Sequence, residues 1–184
     1  MILAIPRGGV MTGKVVAEKL GLPIDLLLCK KVGHPENSEY AIGSVCADGT
    51  RILTDTTADH HRDHFQRQCH QMETWLQARY KTLTGKDRPD SLRGKSVMIV
   101  DDGLATGSTM LAAIRSVRTS GARHVAVATP VASTQAANAI KRSADEFHCP
   151  MVSEQFGAVG EFYEQFETLT DDQVKKIMTA SLKG

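Results

Sequence analysis

At 184 residues with 41% hydrophobic content, the chain fits a single domain and is long enough to bury a sizeable core. A net charge of +1, from 22 basic and 21 acidic residues, gives no bulk electrostatic reason to expect a nucleic-acid partner. No apolar run reaches transmembrane length, no charged leader opens the chain, and Cys29, Cys46, Cys69 and Cys149 are widely spaced, which reads as reduced thiols of a cytoplasmic protein without a membrane partner.

Ile2 to Ile5 is a short apolar strand, and Pro6-Arg7-Gly8-Gly9 follows it directly. The glycines let the backbone approach a ligand closely, and Arg7 offers a planar fork for phosphate oxygens. A plain strand-to-helix turn would use the same residues. Val10 to Leu20 reads as a helix, stopped by Gly21 with Pro23 just beyond. Ile24 to Cys29 is a second strand, and Lys30-Lys31 closes it with positive charge at the same sheet edge. Gly33, Pro35 and Asn37 point to an ordered loop returning to a strand. Ala41 to Ala47 and Arg51 to Thr54 predict a hairpin across Asp48-Gly49.

Asp59 to Tyr80 reads as a long polar helix bearing His60, His61, His64, Cys69 and His70. His60 and His64 share a face. Since no third ligand has helical register with them, a solvated polar face fits the pattern better than a metal site.

The most informative stretch comes next: Val97-Met98-Ile99-Val100-Asp101-Asp102-Gly103-Leu104-Ala105-Thr106-Gly107-Ser108-Thr109. Four apolar residues predict a strand buried on both faces. Met110, Leu111, Ala113, Ile114 and Val117 then continue at helical spacing. The intervening turn places backbone N–H groups and three hydroxyls at the positive end of a helix, a cradle for phosphate. Asp101 and Asp102 would repel that phosphate, so they suit sugar hydroxyls or a divalent cation carried by the same ligand. The Gly-Lys-Ser/Thr ending of a Walker loop is missing, and no Gly-x-Gly-x-x-Gly occurs here. Downstream, Val125 to Thr129 is a strand, Ser133 to Lys141 a helix, Glu146 to Met151 a last short strand and Asp171 to Leu182 a closing helix. Alternating strands and helices of this kind predict an α/β fold with a parallel sheet, whose ligands sit at the carboxyl ends of the strands.

The 97–109 stretch resembles the phosphoribosyl diphosphate (PRPP) motif of the type I phosphoribosyltransferases. Within them, the block Lys31-Val32-Gly33-His34-Pro35 through Glu39, Ala41, Gly43 and Val45 is similar to a subgroup of unassigned acceptor. That similarity continues through Pro130-Val131-Ala132-Ser133 and Phe156-Gly157-Ala158-Val159-Gly160 to Tyr163 and Phe166, nearly the whole chain. Related chains carry a segment ahead of the first strand, and this sequence is expected to begin inside it.

The resemblance implies a mostly parallel central sheet flanked by helices, with hood or flexible elements around 33–82 and 150–170. It implies ribose contacts at Asp101 and Asp102, and a 5-phosphate cradle of Ala105, Thr106, Gly107, Ser108 and Thr109. Arg7, Gly8, Gly9, Lys30 and Lys31 would face pyrophosphate, and Ala132, Phe156 and Val159 the base. The implied reaction is Mg²⁺-dependent transfer of phosphoribose from PRPP to a nitrogenous acceptor, with Asp101 and Asp102 near the metal through ligand or water, and with Arg7 and Lys31 helping the leaving group. A homodimer is compatible with it. In the 6-oxopurine enzymes an Asp precedes Thr-Gly in the loop. Here that residue is Ala105, which looks more like the adenine and orotate branches. Two alternatives stay open: a non-catalytic sensor of PRPP or nucleotides, and a hydrolase using the same cradle.

Overall fold

The computed structural model describes residues 1–53 and 61–181. Its frame is a five-stranded sheet of β1 (Ile2–Ala4), β2 (Ile24–Leu26), β6 (Ser96–Val100), β7 (His124–Ala128) and β9 (Glu146–His148), in the order β2-β1-β6-β7-β9. Every pairing in it is parallel, with Ala4 opposite Val100 and Val100 opposite Ala128. The expected α/β fold with a largely parallel sheet is therefore observed. Strand order reverses between β1 and β6, and doubly wound sheets open their ligand crevice at that point.

Side-chain alternation divides the core. Ile2, Ala4 and Val100 pack with α1 (Gly9–Leu20), α2 (Arg62–Thr84) and α5 (Asp171–Ser181) on one face. Leu3, Val97 and Ile99 pack with α3 (Ser108–Thr119) and α4 (Thr134–Lys141) on the other. Burial on both faces is why Val97 to Val100 is a continuous apolar run. α1 stops at Gly21 as expected, whereas α2 runs past the expected Tyr80 to Thr84; Gly21 and Gly85 are both left-handed, with φ of 62° and 75°, and each donates its N–H back to the last turn.

A separate three-stranded antiparallel sheet joins β3 (Cys29–His34), β4 (Asn37–Cys46) and β5 (Arg51–Leu53). The hairpin across Asp48-Gly49 is present, but the expected loop after Lys31 is strand, and Cys29 belongs to β3 and not to the strand before it. That pairing sets Cys29 directly opposite Cys46, and the two form a disulfide. The expectation of four reduced thiols is overturned for this pair; Cys69 and Cys149 are free. Two further three-residue strands, β8 (Val131–Ser133) and β10 (Met151–Ser153), pair in parallel beyond the carboxyl edge of the main sheet. Residues 54–60, which carry the expected start of the long helix and His60, lie outside the described residues. No helix among the described residues is long and apolar enough to cross a membrane.

Candidate functional site

Adjacent parallel strands bring the two glycine-bearing loops together. Ile5 N–H donates to the Val100 carbonyl at 2.9 Å, so the chain leaves β1 and β6 side by side. Pro6-Arg7 is a cis peptide bond, and α1 starts at Gly9. A Cβ on Gly9 would lie 2.5 Å from the Val100 carbonyl oxygen and 2.8 Å from Asp101 Cα, and one on Gly8 would overlap the Asp102 carboxylate. Glycine is required here because backbone touches backbone. Arg7 is exposed and, among the described residues, its guanidinium makes no ion pair.

Asp101 and Asp102 sit half-buried at the end of β6. Burial, then the neighbouring Asp102 charge, pushes the Asp101 carboxyl well above the usual carboxylate range. Burial raises Asp102 as well, partly offset by hydrogen bonds from Asp101 and from the Asp102 and Gly103 amides. Two crowded carboxylates of this kind favour any ligand that brings hydroxyl donors or a cation.

The cradle is held from both ends. Leu104 N–H donates to Val131 O at 3.0 Å, Ser133 N–H to Leu104 O at 2.9 Å, and Ser133 Oγ to Ala105 O at 2.6 Å. Gly107 takes φ of 72° and caps α3 without a side-chain bond, and the first turn of α3 carries no acidic residue. Ala105, Thr106, Ser108 and Thr109 are exposed, whereas Gly107 is buried against Ala136. Thr106 Oγ1 lies 3.2 Å from Ser108 Oγ and accepts from the Ser108 N–H at 3.4 Å. The loop thus presents hydroxyls and helix N–H groups outward, with no protein anion in the first turn.

The remaining candidates separate. Lys30 and Lys31 are consecutive in β3, so their side chains leave on opposite faces. Lys30 lies over the Trp75 ring on α2, 4.4 Å from its centroid. Lys31 takes the other face and is exposed. Ala132 is fully buried in the core and forms a parallel bridge with Leu104. Val159 does reach the site: a Cβ at Gly103 would stand 2.5 Å from its Cγ1. Phe156 stacks on Phe162, with centroids 4.9 Å apart. Tyr163 donates its hydroxyl to the Asp102 carbonyl at 2.6 Å. Neither Tyr163 nor Ser133 was legible as a support for the acidic pair and the cradle; Ser133 signalled only a helix start.

No group of three or more His, Cys, Asp or Glu among the described residues could hold a metal ion. His64 Nε2 is 3.2 Å from the Gly33 carbonyl, a hairpin contact. A cleft of about 520 Å³, lined in part by Asp48, Glu73, Arg88 and Ser120, opens at the C-terminal end of α3, roughly 18 Å from the cradle at 1.5 Å per residue. Its acids are already engaged, Asp48 by Thr50 and Ser120 and Glu73 by Arg51.

Comparison with known proteins gives concordant matches. Residues 1–167 match the family described as Phosphoribosyl transferase domain. Two curated Mycobacterium tuberculosis proteins, named Putative phosphoribosyl transferase MT0597 and Putative phosphoribosyl transferase Rv0571c, are each 34% identical over 178 residues. That is 95% of this chain but 40% of theirs, so the chain spans well under half the length of these relatives. The crystal structure of TT1426 from Thermus thermophilus superposes with a TM-score of 0.88 at 35% identity, covering 97% of this chain and 86% of that one.

Proposed function

The chain belongs to the phosphoribosyl transferase domain family, and from that premise we propose that it transfers phosphoribose from PRPP to a nitrogenous acceptor with release of pyrophosphate. The observation that carries this reading is the adjacency of three unlike surfaces at one strand edge: the Pro6–Gly9 turn, the Asp101–Asp102 pair and the 105–109 cradle. PRPP has three matching parts, a diphosphate, a ribose diol and a 5-phosphate.

In this reading the outward N–H groups and hydroxyls of Ala105 to Thr109 bind the 5-phosphate at the positive end of α3. Asp101 and Asp102 accept hydrogen bonds from the ribose 2- and 3-hydroxyls, which relieves their mutual repulsion. Arg7 and the Gly8–Gly9 backbone take the pyrophosphate, and Lys31 adds charge on the exposed face of the hairpin. The carboxylate pair fits Mg²⁺ that arrives on the diphosphate, through water or ligand, better than a resident ion, since no third protein ligand is grouped with it among the described residues. When bound, the ion would neutralise charge on the departing pyrophosphate. The C1–oxygen bond then breaks toward an oxocarbenium-like ribosyl cation, as in glycoside cleavage, and the acceptor nitrogen closes on C1. The chain's own work is to fix the sugar between its diol and phosphate ends and to hold the leaving group. Val159 and the Phe156–Phe162 stack would form the apolar wall for a planar acceptor. With Ala105 in the loop, no carboxylate stands at the position used toward 6-oxopurines.

The test is pyrophosphate release from PRPP with Mg²⁺ against a panel of bases and of water. Release with one base supports transfer. Release with water alone makes the chain a hydrolase, and PRPP binding with no release makes it a sensor.

A further inference from the structure

Tyr163 has no part in the chemistry above, yet it joins two parts of the site. It follows the short 3-10 turn Val159–Phe162 and is half-buried. Its hydroxyl donates to the Asp102 carbonyl at 2.6 Å. That carbonyl belongs to the peptide that joins the acidic pair to Gly103. A carbonyl that accepts a hydrogen bond polarises its peptide and strengthens donation from the attached N–H. The phenol hydroxyl therefore ties residue 163 to the backbone of the acidic pair. Val159, four residues earlier, covers the same peptide at Gly103. Phe166 stands against the Tyr163 ring, with centroids 5.2 Å apart, and fixes its orientation from outside.

We propose that Tyr163 is a positioning residue that latches the 159–163 segment, the wall of the acceptor side, onto the Asp102–Gly103 peptide at the ribose end. The role rests on the phosphoribosyl reading of Asp101 and Asp102. Coupling through one hydroxyl is reciprocal: a ligand that orders the Asp102 peptide also orders residues 159–163, and loosening that segment weakens the ligand.

Tyr163→Phe keeps the ring against Phe166 and removes only the hydroxyl. The variant is expected to bind Mg-PRPP about fivefold more weakly by calorimetry, the range of one neutral hydrogen bond. Inorganic phosphate, which needs only the 105–109 cradle, should keep its affinity, a selectivity that a general loss of structure would not produce. Hydrogen exchange at 159–163 should be faster in the unliganded variant, and PRPP should slow it in the parent but not in the variant. Phe166→Leu removes the ring that orients Tyr163 and should act in the same direction, so it carries the test if Tyr163→Phe does not fold. Unchanged PRPP affinity together with unchanged exchange at 159–163 overturns the latch. If the parent binds no PRPP, the phosphoribosyl reading fails by itself. Exchange in the unliganded variant then decides the latch alone: faster supports it, unchanged overturns it.

Discussion

At the scale of single residues, the site depends on crowding that only a ligand relieves. Asp101 holds its proton to higher pH in the folded chain than unfolded, because burial and Asp102 disfavour its charge. Between the two pKa values the folded state binds more protons, so its stability falls as pH rises through that window. Asp101→Asn removes the penalty and should flatten this part of the pH–melting curve, raising the melting temperature above the window while abolishing turnover. A wild-type melting curve that rises with pH across the same window would refute the assignment. Gly9→Ala forces a Cβ to within 2.5 Å of the Val100 carbonyl; denaturant unfolding should show a loss of about 1–3 kcal/mol, the usual cost of overpacking. The acids and glycines were legible in the sequence because each sits in a loop fixed by the strand just before it. Lys30 and Lys31 were not separable, because which face a lysine takes depends on whether it lies in a loop or a strand, and the hairpin is a non-local pairing.

At the scale of elements, the cradle is braced by its neighbours more than by its own hydroxyls. Ser133 Oγ accepts from the Ala136 N–H at 3.0 Å as the cap of α4 and donates to Ala105 O at 2.6 Å. Ser133→Ala should cost about 1 kcal/mol in thermal or chemical unfolding and weaken phosphate or PRPP binding as well. A loss of stability with unchanged binding would make Ser133 a cap alone. The β3–β4 pair carries the Cys29–Cys46 disulfide across a sequence separation of 17. Closing a loop of that size contributes about 3 kcal/mol, so Cys29→Ser with Cys46→Ser should melt lower than the oxidised parent. Intact mass after alkylation in denaturant without reductant should show two modified cysteines and not four. Long, strongly periodic elements such as α3 and β6 were readable from their patterns. Strands β8 and β10, three residues each, were not: at that length alternation carries no signal, and only their pairing with each other defines them.

At the scale of the whole molecule, the sheet order places the Pro6–Gly9 turn, the Asp101–Asp102 pair and the 105–109 loop at one edge. The reversal between β1 and β6 opens the crevice. The C-terminal segment closes one side of it through Val159 and Tyr163. Alternating strand and helix signals were enough to give the α/β fold, and the 97–109 stretch was enough to give the family. The proposed acceptor-side residues were the least legible, since their packing consists of tertiary contacts between aromatic and apolar side chains that also read as ordinary core. The central claim is that these contacts serve transfer from PRPP. Its most direct test is pyrophosphate release from PRPP, with Mg²⁺ and a panel of nitrogenous acceptors, for the parent chain and for Asp101→Asn with Asp102→Asn. The parent is expected to release pyrophosphate with one acceptor, and the folded variant with none. Tight PRPP binding without release for any acceptor, or full activity in the variant, would contradict it.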